Sequence, residues 1–241
     1  MDKYWLERTE LLIKEEGLEK LNKATVLVVG LGGVGSFAAE FLARAGVGNM
    51  TIVDGDTVDI TNINRQLPAL HSTIGKHKVE VVAERLLDIN PDLNLTKINE
   101  FLNPERMDEV LDSAPFDYVL DCIDSVTPKL TLIIAAKRRR IKTVSSMGAG
   151  GKMDPSKVMV KDISKTEHCH LARQVRKRLK KVKIDKGVRC VFANDIQDED
   201  SLKMTDGSNY KRSFYGTISY MPAIFGLYCA SEVINHLLTK D

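Results

Sequence analysis

The chain has 241 residues, 43% of them apolar and 28% charged, with a formal net charge of +2. That length suits one large α/β domain with at most a small appendage, and the apolar share is that of a globular protein with a sizeable core. A charge so near neutrality decides nothing about nucleic acid by itself, so the distribution of charge has to be read instead. The four cysteines (Cys122, Cys169, Cys190, Cys229) have no pairing rhythm, and no apolar leader with a cleavage site follows Met1-Asp2-Lys3. A reducing, cytoplasmic setting without disulfides is therefore expected.

The first 23 residues are charged and read as helical. Ala24 to Val29 is a continuous β-branched apolar run, the pattern of a strand buried on both faces. A glycine loop, Gly30 to Gly35, leads into a helix from Ser36 to Ala45 that ends at Gly46. Met50 to Val53 is a second strand stopping at Asp54, which completes a βαβ unit. A helix is expected from Gly75 to Ile89, closed by Asn90-Pro91, then a strand from Leu93 to Ile98 and a short helix from Pro104 to Leu111. Tyr118 to Leu120 is a strand ending at Asp121, and Pro128 opens a helix to Arg139 as a first-position proline would. Lys142 to Ser146 is the next strand, followed by the loop Gly148-Ala149-Gly150-Gly151. Beyond it the periodicity thins and basic residues accumulate. The apolar stretch from Ile218 to Leu238 carries Glu232, Asn235 and His236 and is interrupted by Pro222, so it reads as a buried C-terminal helix and not as a membrane span. The expected fold class is a Rossmann-like, three-layer α/β fold with a mostly parallel twisted sheet. One domain spans 1–241, with an N-terminal helical segment (1–23) and a basic C-terminal portion (156–241) that extends it.

Gly30-Leu31-Gly32-Gly33-Val34-Gly35 matches G-x-G-x-x-G directly between a strand and a helix. Such glycines (Gly30, Gly32, Gly33, Gly35) permit a tight turn and let the backbone approach a phosphate at the helix N-terminus. Asp54 sits at the tip of the next strand, where a carboxylate can accept from ribose hydroxyls. A nicotinamide dehydrogenase would share both features. The following segment separates the two readings: Asp54-Gly55-Asp56 to Asn62-Ile63-Asn64-Arg65-Gln66 is dense in acids and amides and closes on an arginine. A triphosphate has use for that arginine, since guanidinium pairs bidentately with phosphate oxygens. Taken singly, Asp54 could cap a turn and Lys78 could be a solvated helix lysine.

Five elements in this order resemble the ubiquitin-activating-type adenylating enzymes, the superfamily that includes the molybdopterin and thiamine sulfur-carrier activators. They are the Gly30–Ser36 loop, Val53 to Asp56, Asn62 to Gln66, Lys76 to Lys78, and Asp121-Cys122-Ile123-Asp124. The resemblance implies ATP as the nucleotide, with Asp54 holding the ribose, Asn62 and Arg65 on the phosphates with Gln66 beside them, and Asp56 and Asn64 as further nucleotide-binding residues. It implies that Lys78 reaches the phosphates from its helix and that Asp124, with Ser125 beside it, positions Mg²⁺. It further implies a homodimer in which Arg8 crosses to the partner's ATP. Asp121 is left as a structural strand-end carboxylate.

The sulfur-carrier activators hold zinc with two C-x-x-C pairs, and this chain has none. His168-Cys169-His170 and the distant Cys190 read as ordinary helix and strand residues, Cys190 as core. A finer resemblance is to the tRNA threonylcarbamoyladenosine dehydratases, carried by Asp124-Ser125-Val126-Thr127-Pro128-Lys129, Gly148 to Gly151 with Asp154-Pro155, Cys190-Val191-Phe192, and Gly216 to Ser219. It implies adenylation of the free carboxylate of threonylcarbamoyladenosine beside the anticodon, then ring closure with net loss of water. The basic residues between Arg173 and Arg189, and the cluster Lys137-Arg138-Arg139-Arg140, then read as a tRNA surface. A sulfur-relay protein is a further expected partner. The alternatives are adenylation of the C-terminus of a ubiquitin-like sulfur carrier, and a nucleotide-binding module without adenylating activity.

Overall fold

A computed structural model describes residues 4–204 and 213–239. Residues 1–3, 205–212 and 240–241 lie outside it, including the ends of the expected N-terminal and C-terminal portions. Helix α1 (Glu7–Lys23) leads into β1 (Thr25–Val29), α2 (Gly35–Arg44), β2 (Asn49–Val53), α3 (Lys78–Ile89) and β3 (Asn94–Ile98). Then come α4 (Pro104–Asp112), β4 (Tyr118–Asp121), α5 (Val126–Arg138), β5 (Lys142–Ser146) and β6 (Val158–Asp162). The chain ends with α6 (His170–Lys181), β7 (Arg189–Ala193), β8 (Leu202–Met204), β9 (Ser213–Tyr215) and α7 (Tyr220–Thr239).

Among the described residues, seven strands form one sheet in the order β3-β2-β1-β4-β5-β7-β6, with β8 and β9 pairing separately. Every pair in the large sheet is parallel except β6 with β7. Parallel strands need helical crossovers, which cover both faces and explain why the central strands are apolar throughout. All four residues of β4 are buried, whereas β3 at the edge is largely exposed. One face of the sheet packs against α2, α3 and α7 through a core that includes Val26, Val28, Leu42, Val82 and Phe225. The other face packs against α4 and α5 around Leu27, Val119, Met107 and Leu132, and α6 extends that layer over Phe192 and Cys190. The C-terminal portion is thus woven into the sheet and its flanking layers through β6, β7 and α7.

Chain order runs outward from β1 to β3 on one side and from β4 through β5 to β7 on the other, where β6 forms the antiparallel edge strand. A crevice opens where the direction reverses, at the C-terminal ends of β1 and β4. The glycine loop leaves β1 there, and Cys122 to Asp124 leave β4.

Several expected boundaries move, each for a physical reason. The helix expected from Gly75 begins at Lys78, because Gly75 has a left-handed φ of 84° and Thr57 forms a β-bridge to His77. Pro128 is the third residue of α5, not the first, and still lies among the N–H groups that a first turn leaves unpaired. Pro222 does not interrupt the last helix but lies in its first turn, for the same reason. The N-terminal helix breaks at Lys14, whose φ of 64° is non-helical. Among the elements with no clear pattern in the sequence are β6, the short strands β8 and β9, and α6, whose buried Ala172, Val175 and Leu179 are obscured by the basic residues around them.

Candidate active site

The glycine loop is closed by backbone geometry. Gly30 has φ 91° and donates its N–H to Val53 O at 2.8 Å, which ties the ends of β1 and β2 together. A side chain on Gly35 would put its Cβ 1.7 Å from Gly30 O, so the loop can turn this tightly only with glycine there. Gly32 faces the side-chain amide of Gln66, and Gly33 lies against Arg65 O and Pro222 of α7. Ser36 donates its hydroxyl to Gly32 O at 2.6 Å.

Asp54 locks this loop to β2. One carboxylate oxygen accepts from Leu31 N–H at 2.6 Å and the other from Asp56 N–H at 2.8 Å. Burial pushes its pKa above the ordinary aspartate value; the Leu31 N–H and nearby Lys78 oppose the rise without cancelling it. An ionised carboxylate offers about four acceptor positions, so capacity for a ribose remains. Lys78 is buried and its Nζ meets Asp56 Oδ2 at 2.7 Å, while Asp56 itself is half exposed. Lys78 N–H also donates to Asp56 O at 3.0 Å. Asp54, Asp56 and Lys78 therefore form one unit beside the glycine loop.

The next loop is held by its own side chains. Asp59 accepts from Thr61, and Asn62 Oδ1 accepts from Asp59 N–H at 3.2 Å, a reciprocal cap that buries Asn62. Arg65 is half-buried and donates to Thr61 O and Asn64 Oδ1, both at 2.8 Å. Burial lowers its pKa and the Asp124 carboxylate raises it, so the two side chains sense each other across the crevice. Asn64 reaches the far wall, donating to Thr217 O at 2.9 Å. Gln66 Oε1 is buried and makes no hydrogen bond, an acceptor open to a hydroxyl or water of a bound ligand next to Gly32. Asp124 is exposed, with Ser125 at the N-terminal end of α5 and its hydroxyl 3.4 Å from Asp124 Oδ1.

The neighbouring carboxylate is of a different kind. Asp121 and Lys129 are fully buried and paired at 2.8 Å. Ser145 donates to the same oxygen at 2.6 Å, and Lys129 also donates to Ser146 O at 2.8 Å. Burial raises the Asp121 pKa, and Lys129, Ser145 and the Ile123 N–H hold it down. This is a strut between β4, α5 and β5, and Asp121 also accepts from the Ile123 N–H in the turn that leads to Asp124. Its signal in sequence is an acid ending a strand with a lysine eight positions on.

Arg8 is not brought to this site. It is exposed, two residues after Leu6, which packs against Gly46 at the opposite edge of the sheet. The expected basic surface also divides. Arg139 is bound to Asp108 and Asp112, Arg189 to Glu232, and Arg176 to the Thr166 carbonyl, so these hold the fold together. Arg173, Lys177, Arg178, Lys180, Lys181, Lys183 and Lys186 remain exposed on and after α6. Among the described residues, no group of three or more His, Cys, Asp or Glu side chains could hold a metal, and no helix is long and apolar enough to cross a membrane.

A family model described as the ThiF family matches residues 6–241. A tRNA threonylcarbamoyladenosine dehydratase of Bacillus subtilis is 41% identical over 97% of this chain and 94% of its own length. The crystal structure of the E. coli tRNA N6-threonylcarbamoyladenosine dehydratase in complex with ATP superposes with a TM-score of 0.87 at 36% identity, covering 98% of this chain and 96% of that one. A molybdopterin-synthase adenylyltransferase of Salmonella typhimurium is 47% identical, but over 34% of this chain only.

Proposed function

The chain belongs to the ThiF family, and from that premise we propose that it is an ATP-dependent dehydratase of N6-threonylcarbamoyladenosine in tRNA. The observation that carries this reading is the reach of the similarity. It spans nearly all of both chains for the dehydratases and a third of this chain for a sulfur-carrier activator. The sulfur-carrier alternative would also leave the exposed basic face of α6 without a role.

A free carboxylate is a poor electrophile because its leaving group would be oxide. In the proposed reaction its oxygen attacks the α-phosphorus of ATP, the bond to the β-phosphate breaks, and pyrophosphate leaves. A nucleophilic atom of the same side chain then attacks the acyl carbon, closes the ring and expels AMP, with net loss of one water from the nucleoside. The residues of this chain supply position and charge. Asp54, preset by Leu31 and Asp56, accepts from the ribose. The N–H groups of Gly32, Gly33 and Gly35 line the phosphates, and Arg65 and Lys78 neutralise them, with Asn62, Asn64 and Gln66 shaping the same wall. Asp124, with Ser125 beside it, would hold Mg²⁺, which supplies charge neutralisation on the triphosphate. One carboxylate suffices for an ion that takes its remaining ligands from phosphates and water.

In this reading the basic residues on and after α6 hold the tRNA backbone, and the single domain works in the cytoplasm as a homodimer. Arg8, exposed and remote from its own nucleotide edge, is free to reach the site of a second copy. A sulfur-relay protein is a candidate partner for the same surface. The direct test is mass analysis of nucleosides from modified tRNA incubated with ATP. A product one water lighter, with one AMP per event, supports the reading; unchanged nucleoside with ATP bound would remove it.

A further inference from the structure

Along the same edge of the sheet, past the loop that follows β5, lies a cleft of about 280 Å³. That is close to the lower end of small-ligand clefts, roughly 300 Å³. Its lining includes Glu167, His168, His170, Arg173, Gln197 and Glu199, none of which the adenylation chemistry uses. The cleft is joined to the nucleotide site through a short chain of neighbouring residues. Gln197 Nε2 donates to Gly150 O at 2.9 Å, and a Cβ on Gly150 would come within 3.2 Å of the Thr217 hydroxyl. Thr217 O in turn accepts from Asn64, the neighbour of Arg65.

The walls of the cleft are preset. Lys152, fully buried, donates to the carbonyls of His168, at 2.7 Å, and of Asp195 and Ala193, gathering two separate segments onto one ammonium. His168 is held at φ 47°, in the left-handed region that few residues other than glycine occupy. Gln197 is buried, with its amide nitrogen on Gly150 O and its oxygen accepting from His170 N–H at 3.4 Å. A segment ordered around a buried lysine at the rim of an active site is spared ordering cost when a ligand arrives.

The lining chemistry selects among ligands. Two carboxylates, Glu167 and Glu199, stand with two imidazoles and Arg173, and His170 Nε2 is 3.4 Å from Glu199. A bare phosphate would meet those carboxylates unfavourably. A nucleobase would not, because its edge carries both donors and acceptors and its face stacks on imidazole or guanidinium planes. The His170 ring is exposed, and the Tyr215 ring stands 6.2 Å away, tilted by 40°.

We infer that this cleft seats the base of an anticodon-loop nucleotide flanking the one whose carboxylate is adenylated, with His170 as the stacking surface. The inference rests on the tRNA reading above. Splaying a flanking base into a separate seat would turn the modified nucleotide toward Arg65 and Asp124 and fix its register.

The test measures binding of an anticodon stem-loop RNA carrying threonylcarbamoyladenosine, with an abasic residue placed at each loop position in turn. His170→Ala should weaken binding roughly five- to hundredfold, the range for losing one stacked base, and His170→Phe should restore most of it. One flanking abasic position should weaken binding to the unaltered protein by a similar factor and cost His170→Ala little more. ATP–pyrophosphate exchange with the modified tRNA is run alongside on the unaltered protein. If exchange is intact and every abasic position costs the unaltered protein and His170→Ala equally, the seat is wrong and the function stands. If exchange is absent, the tRNA reading falls and the seat with it.

Discussion

Two lysine–aspartate pairs flank β1 at the crevice, and they are chemically alike but physically opposite. Lys129 meets Asp121 at 2.8 Å with both side chains wholly buried, whereas Lys78 meets Asp56 at 2.7 Å with half of the aspartate in solvent. The buried pair has satisfied its charges with Ser145 and Ser146 and has nothing left to offer a ligand. The rim pair keeps one carboxylate wet and a lysine within reach of the glycine loop, so an arriving phosphate can compete for that lysine. Solvent access, not ion-pair length, separates the scaffold pair from the pair proposed to meet the nucleotide.

Removing a lysine from each pair breaks the comparison most sharply. Lys129→Met strands Asp121 in the core and should cost about 3–5 kcal/mol of stability, a fall in Tm on the order of 10 °C for a domain this size. Asp121→Leu with Lys129→Met should recover most of that loss, since an apolar replacement of a buried pair is about neutral. Calorimetry or chemical denaturation reads both. Lys78→Met should lower stability by about 1 kcal/mol or less, because Asp56 can be hydrated. Its effect should fall on adenylation, with kcat/KM down about a hundredfold or more.

A smaller effect concerns Asp54. Its pKa is raised by burial, so its protonated form is favoured by folding. The stability tied to that proton is complete below the ordinary aspartate range and is lost as pH rises through the raised value. ATP binding draws on the ionised form, so affinity should fall on acidification while an ordinary aspartate would still be charged. The fall should be at most about tenfold per pH unit. It should be much reduced for an ATP analogue lacking the ribose hydroxyls, and an equal fall for both nucleotides would detach Asp54 from the ribose. The smallest expected effect separates exposed from tied basic residues. Replacing Lys177, Lys180 or Lys181 with alanine should lower the slope of log tRNA affinity against log salt by about 0.7–0.9 for each phosphate no longer neutralised. Removing Arg139 should destabilise the fold and leave that slope unchanged.

The nucleotide edge is legible in sequence because its parts are local. A buried strand, a glycine loop and a strand-end acid each have a short-range signature, so Gly30 to Gly35 and Asp54 stand out locally and Arg65 closes the next polar loop, whereas Lys78 and Asp124 are singled out only through the resemblance to the adenylating enzymes. What stays obscure in sequence depends on distant residues meeting. The Asp121–Lys129 strut cannot be told from a solvated pair until burial is known. Lys152 is one more lysine among many until the carbonyls of His168, Ala193 and Asp195 converge on it. Arg139 and Arg189 read as part of a basic surface because their acidic partners lie 27 and 43 residues away. The narrow apolar face of α6 is hidden for a related reason, with three buried residues set among a run of cations.

The most direct measurement of the central claim is ATP–pyrophosphate exchange, comparing tRNA that carries threonylcarbamoyladenosine with the same tRNA lacking it, for the unaltered protein and for Asp124→Ala. Exchange with the modified tRNA alone, abolished by the substitution, is the expected result. Binding of ATP without exchange on either tRNA would contradict adenylation of the tRNA carboxylate and point to another carboxylate partner.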